Sequence, residues 1–276
     1  MRIALVLHPS RAVATDLAGL VAAAARELGL EITVDEADAE RVPAATTRPA
    51  GSLAADVVLA VGGDGTVLEA ARRAVAAGLP VIGVNAGNVG FLAEIQPDEI
   101  TAGLTALTTG DYAITDRMTL TATTSTGVTL GALNDVVVEK DISQNIIRVG
   151  VAADDEQLVE YRADGVIVAT PTGSTAYNFS AGGPLIDPEL DALTLTAVAP
   201  HTLFGRPIVF GAATRLRLTV AGDRAARLNG DGRDYGLLQP GDSVTVSTGS
   251  DVIRLIRLTP QHFAASIKRK FHLYDA

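Results

Sequence analysis

The sequence predicts an α/β N-terminal domain with a parallel sheet, then a C-terminal all-β, sandwich-like domain, and a final helix returning to the first domain. Two observations support this. Apolar strand patterns alternate with helix patterns up to about residue 115, which is typical of a parallel sheet covered by helices. Beyond that point, short strand patterns follow one another with Gly-Asp turns, which is typical of a sandwich. We therefore place a Rossmann-like domain at 1–115 (plus 260–276) and a β-rich domain at 116–259.

The first domain is predicted from its hydrophobic periodicity. Consecutive apolar residues indicate buried strands, and apolar residues spaced three or four apart indicate helices. Strands are expected at 3–8, 31–34, 56–61 and 80–84, and helices at 15–28 and 67–77. Residues 39–51 are rich in Ala, Thr, Pro and Arg, and are predicted to form a loop.

The second domain is predicted from short β-branched and apolar runs that turn residues separate. Strands are expected at 119–124, 128–133, 136–139, 146–152, 165–169, 193–198, 214–220 and 244–247. A helix pattern begins near residue 260 and has Phe263, Ile267 and Phe271 as its apolar positions. We expect this helix to pack on the first domain.

Composition excludes several classes of protein. The net charge of −10 argues against a nucleic-acid surface, and no apolar run is long enough to cross a membrane. The absence of cysteine excludes disulfides, thiol catalysis and Cys–zinc sites, and the four histidines lack metal-ligand spacing. The apolar start is interpreted as a buried strand rather than a signal peptide. We expect a cytoplasmic protein that binds small molecules, and neither nucleic acid nor membranes.

The run Val61-Gly62-Gly63-Asp64-Gly65-Thr66 joins a predicted strand to a predicted helix. Free N–H groups at a helix start suit an anion, and glycines let the backbone come close to it. A phosphate held there would repel the carboxylate of Asp64, so this carboxylate needs another role. It fits a general base, or a group that binds a hydroxyl or a metal. The motif therefore indicates a phosphoryl-transfer site.

A second glycine loop, Asn85-Ala86-Gly87-Asn88-Val89-Gly90-Phe91-Leu92, follows the strand predicted at 80–84. Ligands of open α/β sheets lie at the carboxyl ends of strands. The two glycine loops are therefore expected to lie side by side at that edge. Ordinary βα turns also contain glycines, so the second loop alone is weak evidence for a site.

The third loop is dense in hydroxyl groups. After the strand at 165–169 come Thr170, Thr172, Ser174, Thr175 and Tyr177, and then Ser180 and Gly182-Gly183. Hydroxyls and free amides beside a helix start can hold ribose hydroxyls, an amide or phosphates. A capped helix start is the alternative, but a cap needs one such residue and leaves the others unexplained. We therefore favour a binding site.

Three familiar motifs do not fit. No lysine follows Gly65, as a Walker A loop requires. Leu68 stands where the dinucleotide fingerprint needs a glycine. Ser174 lacks the flanking glycine pair of a nucleophile elbow.

Together the motifs resemble those of the bacterial NAD kinase family. Gly62-Gly63-Asp64-Gly65-Thr66 matches the family's first motif, and the loop at 85–92 matches its second. The run 170–177 with Ser180-Ala181-Gly182-Gly183-Pro184 matches the third, and Pro200-His201-Thr202-Leu203 with Arg206-Pro207 matches a more modest fourth. The motifs occur in family order over most of the chain. The third is specific, whereas the first is shared with related lipid and sugar kinases.

The resemblance implies an activity and its cofactor. The family transfers a phosphoryl group from ATP, in some bacteria also from inorganic polyphosphate, to the 2′-hydroxyl of the adenosine ribose of NAD, which gives NADP. Mg²⁺ or another divalent cation is implied, held through the donor phosphates, so no residue is assigned as a metal ligand. A homodimer or homotetramer is implied as well.

The resemblance also implies roles for individual residues. Asp64 is the implied proton acceptor, with Gly63, Gly65 and Thr66 as the neighbours that hold phosphate. Asn134 and Asp135 fall where the family has Asn-Glu in contact with the dinucleotide. The other implied NAD contacts are Phe91 on the adenine, Asp164 at the nicotinamide end, Tyr177 against a ring, and Asn145, Arg162, Thr175, Ala176 and Ser180.

The sequence departs from the family pattern in three places. Asp135 is one methylene shorter than the usual glutamate, so its contact is direct, water-bridged or lost. Glu69 stands where many relatives carry a basic residue near the phosphates, which leaves the donor open between ATP and polyphosphate. Arg233 stands where the family often has glutamine, and it is assigned no role.

Two alternative functions stay open. A lipid or sphingoid kinase of the same superfamily would use the first motif with another acceptor, but the complete third motif counts against it. A non-catalytic NAD(P)-binding sensor would not obviously need a base, so Asp64 counts against that function.

Overall fold

The computed structural model describes residues 1–49, 52–87, 90–142, 145–259 and 262–273. The chain divides into two compact units. Unit 1 comprises Met1–Asp116 and Ile253–Ala276, and unit 2 comprises Arg117–Val252. Asn88 and Val89 of the second motif, Pro260 at the predicted start of the final helix, and residues 274–276 lie outside the described residues.

Unit 1 is built on a parallel sheet, as the sequence predicts. Its strands are β1 Arg2–Leu7, β2 Glu31–Asp35, β3 Thr46–Arg48, β4 Val57–Gly62 and β5 Val81–Asn85, and its first helices are α1 Ala12–Glu27, α2 Asp64–Ala74 and α3 Ile100–Thr109. The strands pair in the order β5-β4-β1-β2-β3, each pair parallel. Every residue of β4 is buried, which explains why this strand is a continuous apolar run.

Helix α1 shows how the periodic pattern becomes packing. Its buried residues recur three or four apart, at Ala14, Leu17, Ala18, Val21, Ala22, Ala24 and Ala25. They join one core cluster with the apolar side chains of the sheet, among them Leu5 and Leu59, which are at most 1% exposed. Burying one large aliphatic side chain stabilises a fold by about 1.5–3 kcal/mol. The strands β4 and β5, whose carboxyl ends carry the two glycine loops, are therefore held in a well-packed core.

Three local elements differ from the sequence prediction. Helix α2 begins at Asp64, not at residue 67, because Gly63 with its extended backbone serves as the N-cap residue. Asp64 is therefore the first helical residue. The edge strand β3 lies in the predicted loop, and its three residues are too few to show a period. Helix α3 was missed altogether.

Unit 2 is antiparallel throughout its described strands. They are β6 Ala113–Thr124, which begins in unit 1, β7 Thr129–Ala132, β8 Asp135–Lys140, β9 Ile147–Ala153, β10 Glu156–Ala163, β11 Gly165–Ala169, β12 Ala192–Val198, β13 Ile208–Gly211, β14 Leu216–Ala221, β15 Ala226–Gly230, β16 Arg233–Leu238 and β17 Ser243–Arg257, with the short helix α4 Tyr177–Ser180. One sheet has the order β13-β12-β11-β8-β15-β16. The other contains β10-β9-β14-β17, with β6 beside β17 and β7 beside β6.

The two sheets of unit 2 share a core, which confirms the sandwich-like prediction. Val138, Val168 and Leu195 of the first sheet belong to the same buried cluster as Val149 and Val246 of the second. Along strand β14, buried side chains alternate with exposed or partly buried ones, as in packed sheets generally.

The last strand is longer than the sequence suggested. Its pattern was recognised only at 244–247, because the following Thr-Gly-Ser-Asp run resembles a turn. Thr245 pairs with Arg217 of β14 in unit 2, and Leu255 pairs with Val81 of β5 in unit 1. The chain is thus already part of unit 1 from Ile253, whereas the sequence analysis placed this return at 260.

The C-terminal helix, α5 Phe263–Phe271, belongs to unit 1. The ring of Phe271 lies against that of Phe91, with ring centroids 6.1 Å apart and planes tilted by 55°. The final helix therefore returns to the first unit, as predicted. Within the described residues, no helix has the length and apolar character needed to cross a membrane.

Candidate functional site

Asp64 is held by the backbone of the second glycine loop. Its Oδ2 accepts the N–H of Phe91 at 2.8 Å. Its Oδ1 accepts the N–H groups of Leu92 at 3.0 Å and Ala93 at 3.4 Å. These bonds confirm that the two glycine loops lie side by side at the carboxyl ends of β4 and β5. They also fix the direction in which the carboxylate points.

The glycines of the two loops serve different purposes. A Cβ added at Gly90 would overlap the Asp64 carboxylate, so only glycine lets this loop hold it closely. A Cβ at Gly62 would overlap the side chain of Thr66. At Gly65, in contrast, an added Cβ would meet nothing within 4 Å, and the backbone is not left-handed. The fold therefore explains the glycines at 62 and 90 but not the one at 65.

The first turn of α2 presents backbone N–H groups. The N–H groups of Thr66 and Val67 bond back to the carbonyl of Gly63, at 2.9 and 3.2 Å. Those of Asp64 and Gly65 have no acceptor in the part of the chain that the structure describes, as is usual for a helix start. Such N–H groups favour an anion. The Thr66 hydroxyl is buried and makes no hydrogen bond to the described residues, so its contact with phosphate stays a prediction.

Glu69 lies in a chain of ion pairs. It accepts bonds from Arg72 at 2.5 Å and from Arg73 at 2.6 Å. Arg73 also pairs with Asp35 at 2.5 Å, and Asp35 pairs with Arg48. Burial raises the pKa of Glu69, but the bonds from Arg72 and Arg73 outweigh it and lower the pKa below its usual value. The negative charge of Glu69 is therefore offset by two guanidinium groups.

The hydroxyl groups of the third loop bond largely to backbone in and around that loop. Thr170 Oγ1 donates to the Leu133 carbonyl at 2.6 Å and accepts the Gly173 N–H at 3.0 Å. Ser174 Oγ donates to the Ile186 carbonyl at 3.2 Å and accepts the Ile186 N–H at 3.0 Å. Thr175 Oγ1 donates to the Thr172 carbonyl at 3.2 Å. A structural role therefore explains three of the hydroxyls, those of Thr170, Ser174 and Thr175, and not just the single one that a helix cap needs. They build the loop, and they do not by themselves indicate a ligand.

Asp231 caps the backbone that enters β8. Its carboxylate accepts the N–H groups of Leu133, Asn134 and Asp135 at 2.7, 2.7 and 3.1 Å. Its own N–H donates to the Asp135 carbonyl at 3.0 Å. No role for Asp231 follows from the sequence pattern. The Asp-Gly pair is a recognisable hairpin signal, but nothing in the sequence tells which backbone such a carboxylate will contact.

The side chains of Asn134 and Asp135 are buried without a partner among the described residues. Their exposed fractions are 9% and 5%, and neither side chain makes a hydrogen bond within that part of the chain. Their polar atoms are not fully enclosed, so they are available to a ligand or to solvent. Burial and, second, the charge of Asp231 raise the pKa of Asp135 to about 7.

Tyr177, the first residue of α4, lies among carboxylates. Burial raises the pKa of its hydroxyl, and the charges of Glu139, Asp164 and Asp135 raise it further. Asp164 in turn pairs with Lys140 at 2.8 Å. Tyr177 is thus influenced by charges at both ends of β8, from Asp135 at its start and from Asp164 beside its last residue.

Other predicted site residues lie around these groups. Thr175 and Ala176 immediately precede Tyr177 and are partly buried, and Ser180 is exposed at the end of α4. Phe91 is partly buried in unit 1 beside the loop that holds Asp64.

Arg162 and Asn145 are less closely connected. The side chain of Arg162 is exposed on β10, and its carbonyl accepts the His201 N–H at 2.6 Å. Asn145 lines a cavity of about 150 Å³ together with Lys140 and Arg224. Within the described ranges, no hydrogen bond joins Arg162 or Asn145 to Asp135, Asp164 or Tyr177, so the roles of Arg162 and Asn145 stay predictions.

Comparison with known proteins places these motifs in a family. The ATP-NAD kinase N-terminal domain matches residues 3–112, and the ATP-NAD kinase C-terminal domain matches residues 133–258. An NAD kinase of Moorella thermoacetica is 42% identical over 222 residues, which cover 79% of this chain and 71% of the relative. The chain belongs to the NAD kinase family. Membership of this family decides against the lipid kinase, and because the family's members are phosphotransferases it also decides against the non-catalytic sensor.

Two solved structures share the NAD kinase fold. Yeast NADH kinase, solved in complex with NADH, matches with a TM-score of 0.90 and 21% identity, covering 100% of this chain and 89% of that one. An NAD kinase from Archaeoglobus fulgidus, solved in complex with ATP, matches with a TM-score of 0.74 and 24% identity, covering 99% of this chain and 97% of that one. At these identities the similarity shows the fold.

Proposed function

We propose that the protein catalyses the Mg²⁺-dependent transfer of a phosphoryl group from ATP to the 2′-hydroxyl of the adenosine ribose of NAD, giving NADP. The observation that carries the proposal is the Asp64 carboxylate, fixed by three loop amides at the start of α2. The family's description names ATP and NAD. Relatives of the same fold were solved with NADH and with ATP.

Asp64 is proposed as the proton acceptor. A carboxylate offers about four lone-pair positions, and the amides of Phe91, Leu92 and Ala93 occupy three of them. Oδ2 accepts only one amide, so it keeps a position for the 2′-hydroxyl. As the hydroxyl oxygen attacks the γ-phosphorus, its proton passes to Oδ2, and the bond between that phosphorus and the ADP oxygen breaks. A positioned base of this kind contributes about 10²–10⁴-fold to a rate.

The first turn of α2 is proposed to hold the donor phosphates. The N–H groups of Asp64 and Gly65 are available there, and Gly63 and Gly65 leave the backbone bare. Because Arg72 and Arg73 offset the charge of Glu69, the departure at this position places no uncompensated negative charge near the turn. This compensation suits either anionic donor, and we favour ATP because the family's description names it. Polyphosphate is tested alongside ATP.

The divalent cation is proposed to bind through the donor. No group of three or more His, Asp or Glu side chains capable of holding a metal occurs among the described residues. Mg²⁺ is commonly bound by substrate phosphates and water with few protein ligands, so this residue set fits a phosphate-borne ion. When bound, the ion neutralises charge on the transferred group.

NAD is proposed to bind through polar side chains of unit 2. The side chains of Asn134 and Asp135 make no hydrogen bond to the described residues, and the charges of Asp135 and Asp164 both act on the Tyr177 hydroxyl. Thr175, Ala176 and Ser180 would add contacts through the same loop. These groups hold and orient the dinucleotide, and the chemistry itself falls to Asp64.

The test is an NADP-formation assay that pairs each donor, ATP or polyphosphate, with each acceptor, NAD or NADH, with and without Mg²⁺. We expect NADP from ATP and NAD only when Mg²⁺ is present. Protein carrying Asp64→Asn and purified identically controls for contaminating kinases. Failure of every donor–acceptor pair to give a 2′-phosphorylated product would overturn the proposal.

A further inference from the structure

The backbone of residues 133–135 is held on both sides before β8 begins. On one side the Asp231 carboxylate accepts three consecutive N–H groups. On the other side the Thr170 N–H donates to the Asn134 carbonyl at 2.9 Å. Gly173 packs so closely that an added Cβ would lie 2.6 Å from the Asn134 Cα. The directions of the Asn134 and Asp135 side chains follow from these backbone contacts.

The side chain at 231 is well suited to this task. A carboxylate is an acceptor at every lone pair, so it can take three convergent N–H donors. An asparagine of the same shape would turn an NH₂ group toward at least one of them. Asp231 and Gly232 have φ values of 48° and 74°, the left-handed pair of a tight hairpin turn between β15 and β16. Since β15 pairs with β8, the carboxylate is anchored to the same sheet as its target.

We propose that Asp231 is a positioning residue for the dinucleotide, because it holds the backbone of Asn134 and Asp135 so that their free side chains meet the ligand. The inference rests on the proposed function, in which these two side chains contact NAD. It adds a residue that makes no contact with the reacting atoms and acts through its neighbours.

Asp231 also acts on Asp135 through its charge. The pKa of Asp135 is raised to about 7 by burial and then by this charge. Burial raises the pKa of Asp231 too, but the three amides and Arg233 oppose that rise. The three N–H donors favour the ionised form of Asp231, whereas Asp135 has no such donors. Among the described residues Tyr177 of α4 also faces Asp135, and its phenol is neutral in this range.

The sign of the pH dependence follows from these groups. Ionised Asp135 accepts hydrogen bonds from the hydroxyl and amino groups of a dinucleotide, whereas its protonated form loses acceptor capacity. NAD affinity should therefore rise as the pH increases through the pKa of Asp135. Removing the charge of Asp231 lowers that pKa, so the midpoint should move to lower pH. The midpoint reports the charge of Asp231 acting on Asp135, and the NAD affinity at high pH, where Asp135 is ionised in every variant, reports how well its side chain is positioned.

The experiment measures the dissociation constant of NAD by calorimetry from about pH 5 to pH 8.5, the range around the expected midpoint. The proteins are wild type, Asp231→Asn, Asp231→Ala and Asp234→Asn. Asp234 is the matched control, since it lies in the strand after the same turn and bonds to Arg227 and Gly236 instead of residues 133–135.

We expect Asp231→Asn to lower the midpoint by about one pH unit, the size of a nearby charge effect. Asp231→Ala should move the midpoint in the same direction and weaken NAD binding on the order of tenfold at pH 8.5, because it leaves three amides without their acceptor. Asp234→Asn should match wild type. An unchanged midpoint in Asp231→Asn, or an equal shift in Asp234→Asn, overturns the inference. If Asp231→Ala does not fold, Asp231→Asn decides alone.

NADP formation is assayed in parallel on the same preparations. Wild type that binds NAD but forms no NADP overturns the proposed function, and the calorimetric midpoints still decide the role of Asp231. Wild type that forms NADP, with identical midpoints in all variants, overturns the role of Asp231 alone. Absence of NAD binding by wild type overturns both.

Discussion

The first glycine loop of unit 1 and the hydroxyl-rich loop of unit 2 both follow a buried strand, yet they use their polar groups in opposite ways. In unit 1, backbone N–H groups converge on one side chain, Asp64, and the helix start keeps N–H groups for an anion. In unit 2, side-chain hydroxyls such as those of Thr170 and Ser174 bond to nearby backbone. The first loop leaves backbone N–H groups available to a ligand, whereas the side chains of the second stabilise the loop's own conformation.

The comparison teaches which polar groups should be assigned to a ligand. The number of hydroxyls in a loop is a poor guide, because each one can satisfy a carbonyl or an N–H nearby. Polar groups that have no hydrogen-bond partner within the protein are better guides. Among the described residues of unit 2, the Tyr161 hydroxyl is fully buried without a partner, whereas the side chains of Asn134 and Asp135 make no hydrogen bond and still reach the surface. Asn134 and Asp135 lie beside the hydroxyl-rich loop and not in it.

The largest expected effect tests the carboxylate that the backbone of unit 1 holds. Asp64→Asn should lower kcat by about 10²–10⁴-fold, because the amide cannot take the hydroxyl proton, and its NH₂ would also face a loop N–H. Steady-state kinetics and a melting curve measure the two consequences. Asp56→Asn is the control, since Asp56 accepts the Arg2 N–H in the same unit. Near wild-type turnover in Asp64→Asn would remove this residue from the mechanism.

The next effect tests the close approach of the second loop. Gly90→Ala should lower kcat on the order of 10²-fold, because the added methyl displaces the carboxylate from its working position. Gly87→Ala, in the same loop, is the matched control, since its Cβ would meet only Arg11 Nη1, at an ordinary 3.5 Å. Equal kinetics for the two variants would show that Asp64 does not depend on this contact.

A smaller effect tests the self-contained loop of unit 2. Ser174→Ala should lower the free energy of unfolding by about 1–3 kcal/mol, because it strands the buried N–H and carbonyl of Ile186. Urea unfolding measures this loss, with Ser180→Ala at an exposed position as the stability control. The KM for NAD should stay unchanged in Ser174→Ala. A raised KM with unchanged stability would return Ser174 to the binding site.

The smallest effect on stability is expected at Gly65. Gly65→Ala should leave the melting temperature equal or slightly higher, by at most about 0.5–1 kcal/mol of stability, since the added Cβ has open space. The KM for ATP should nevertheless rise, because the methyl blocks the bare backbone. Gly65→Val would extend the block, at the cost of a β-branched residue in a helix. A lower melting temperature without a change in the KM for ATP would make Gly65 a structural glycine.

Much of the fold could be predicted from local pattern. The buried run of β4 and the three-to-four spacing of α1 are visible in the sequence, and so is the change to short strands after residue 115. The parts that were missed depend on distant partners. Strand β3 forms because β2 offers it an edge, and the last residues of β17 form a strand because β5 is there to pair with them.

The candidate site shows the same limit. Asp64 could be selected from the sequence because glycines surround a charge at a strand-to-helix turn. The hydrogen bonds that Asp64 accepts from Phe91, Leu92 and Ala93 could not be predicted, since these residues lie 27 to 29 positions away. Asp231 acts on residues 96 to 98 positions away. Hydrogen bonds across such distances become visible only once the strands are paired.

Strand β17 has a consequence for the order of folding. Unit 1 lacks part of its sheet until residues 253–257 exist, because Leu255 pairs with Val81 and Ile256 enters the core of unit 1. The Thr115 hydroxyl donates to the Leu255 carbonyl at 3.4 Å, so the chain leaves unit 1 and re-enters it at adjacent points. On the ribosome, the complete sequence of unit 2 emerges before unit 1 can close. An N-terminal fragment that stops before Ile253 should therefore expose the edge of β5. Its unpaired backbone groups could pair with another chain, so we expect the fragment to aggregate.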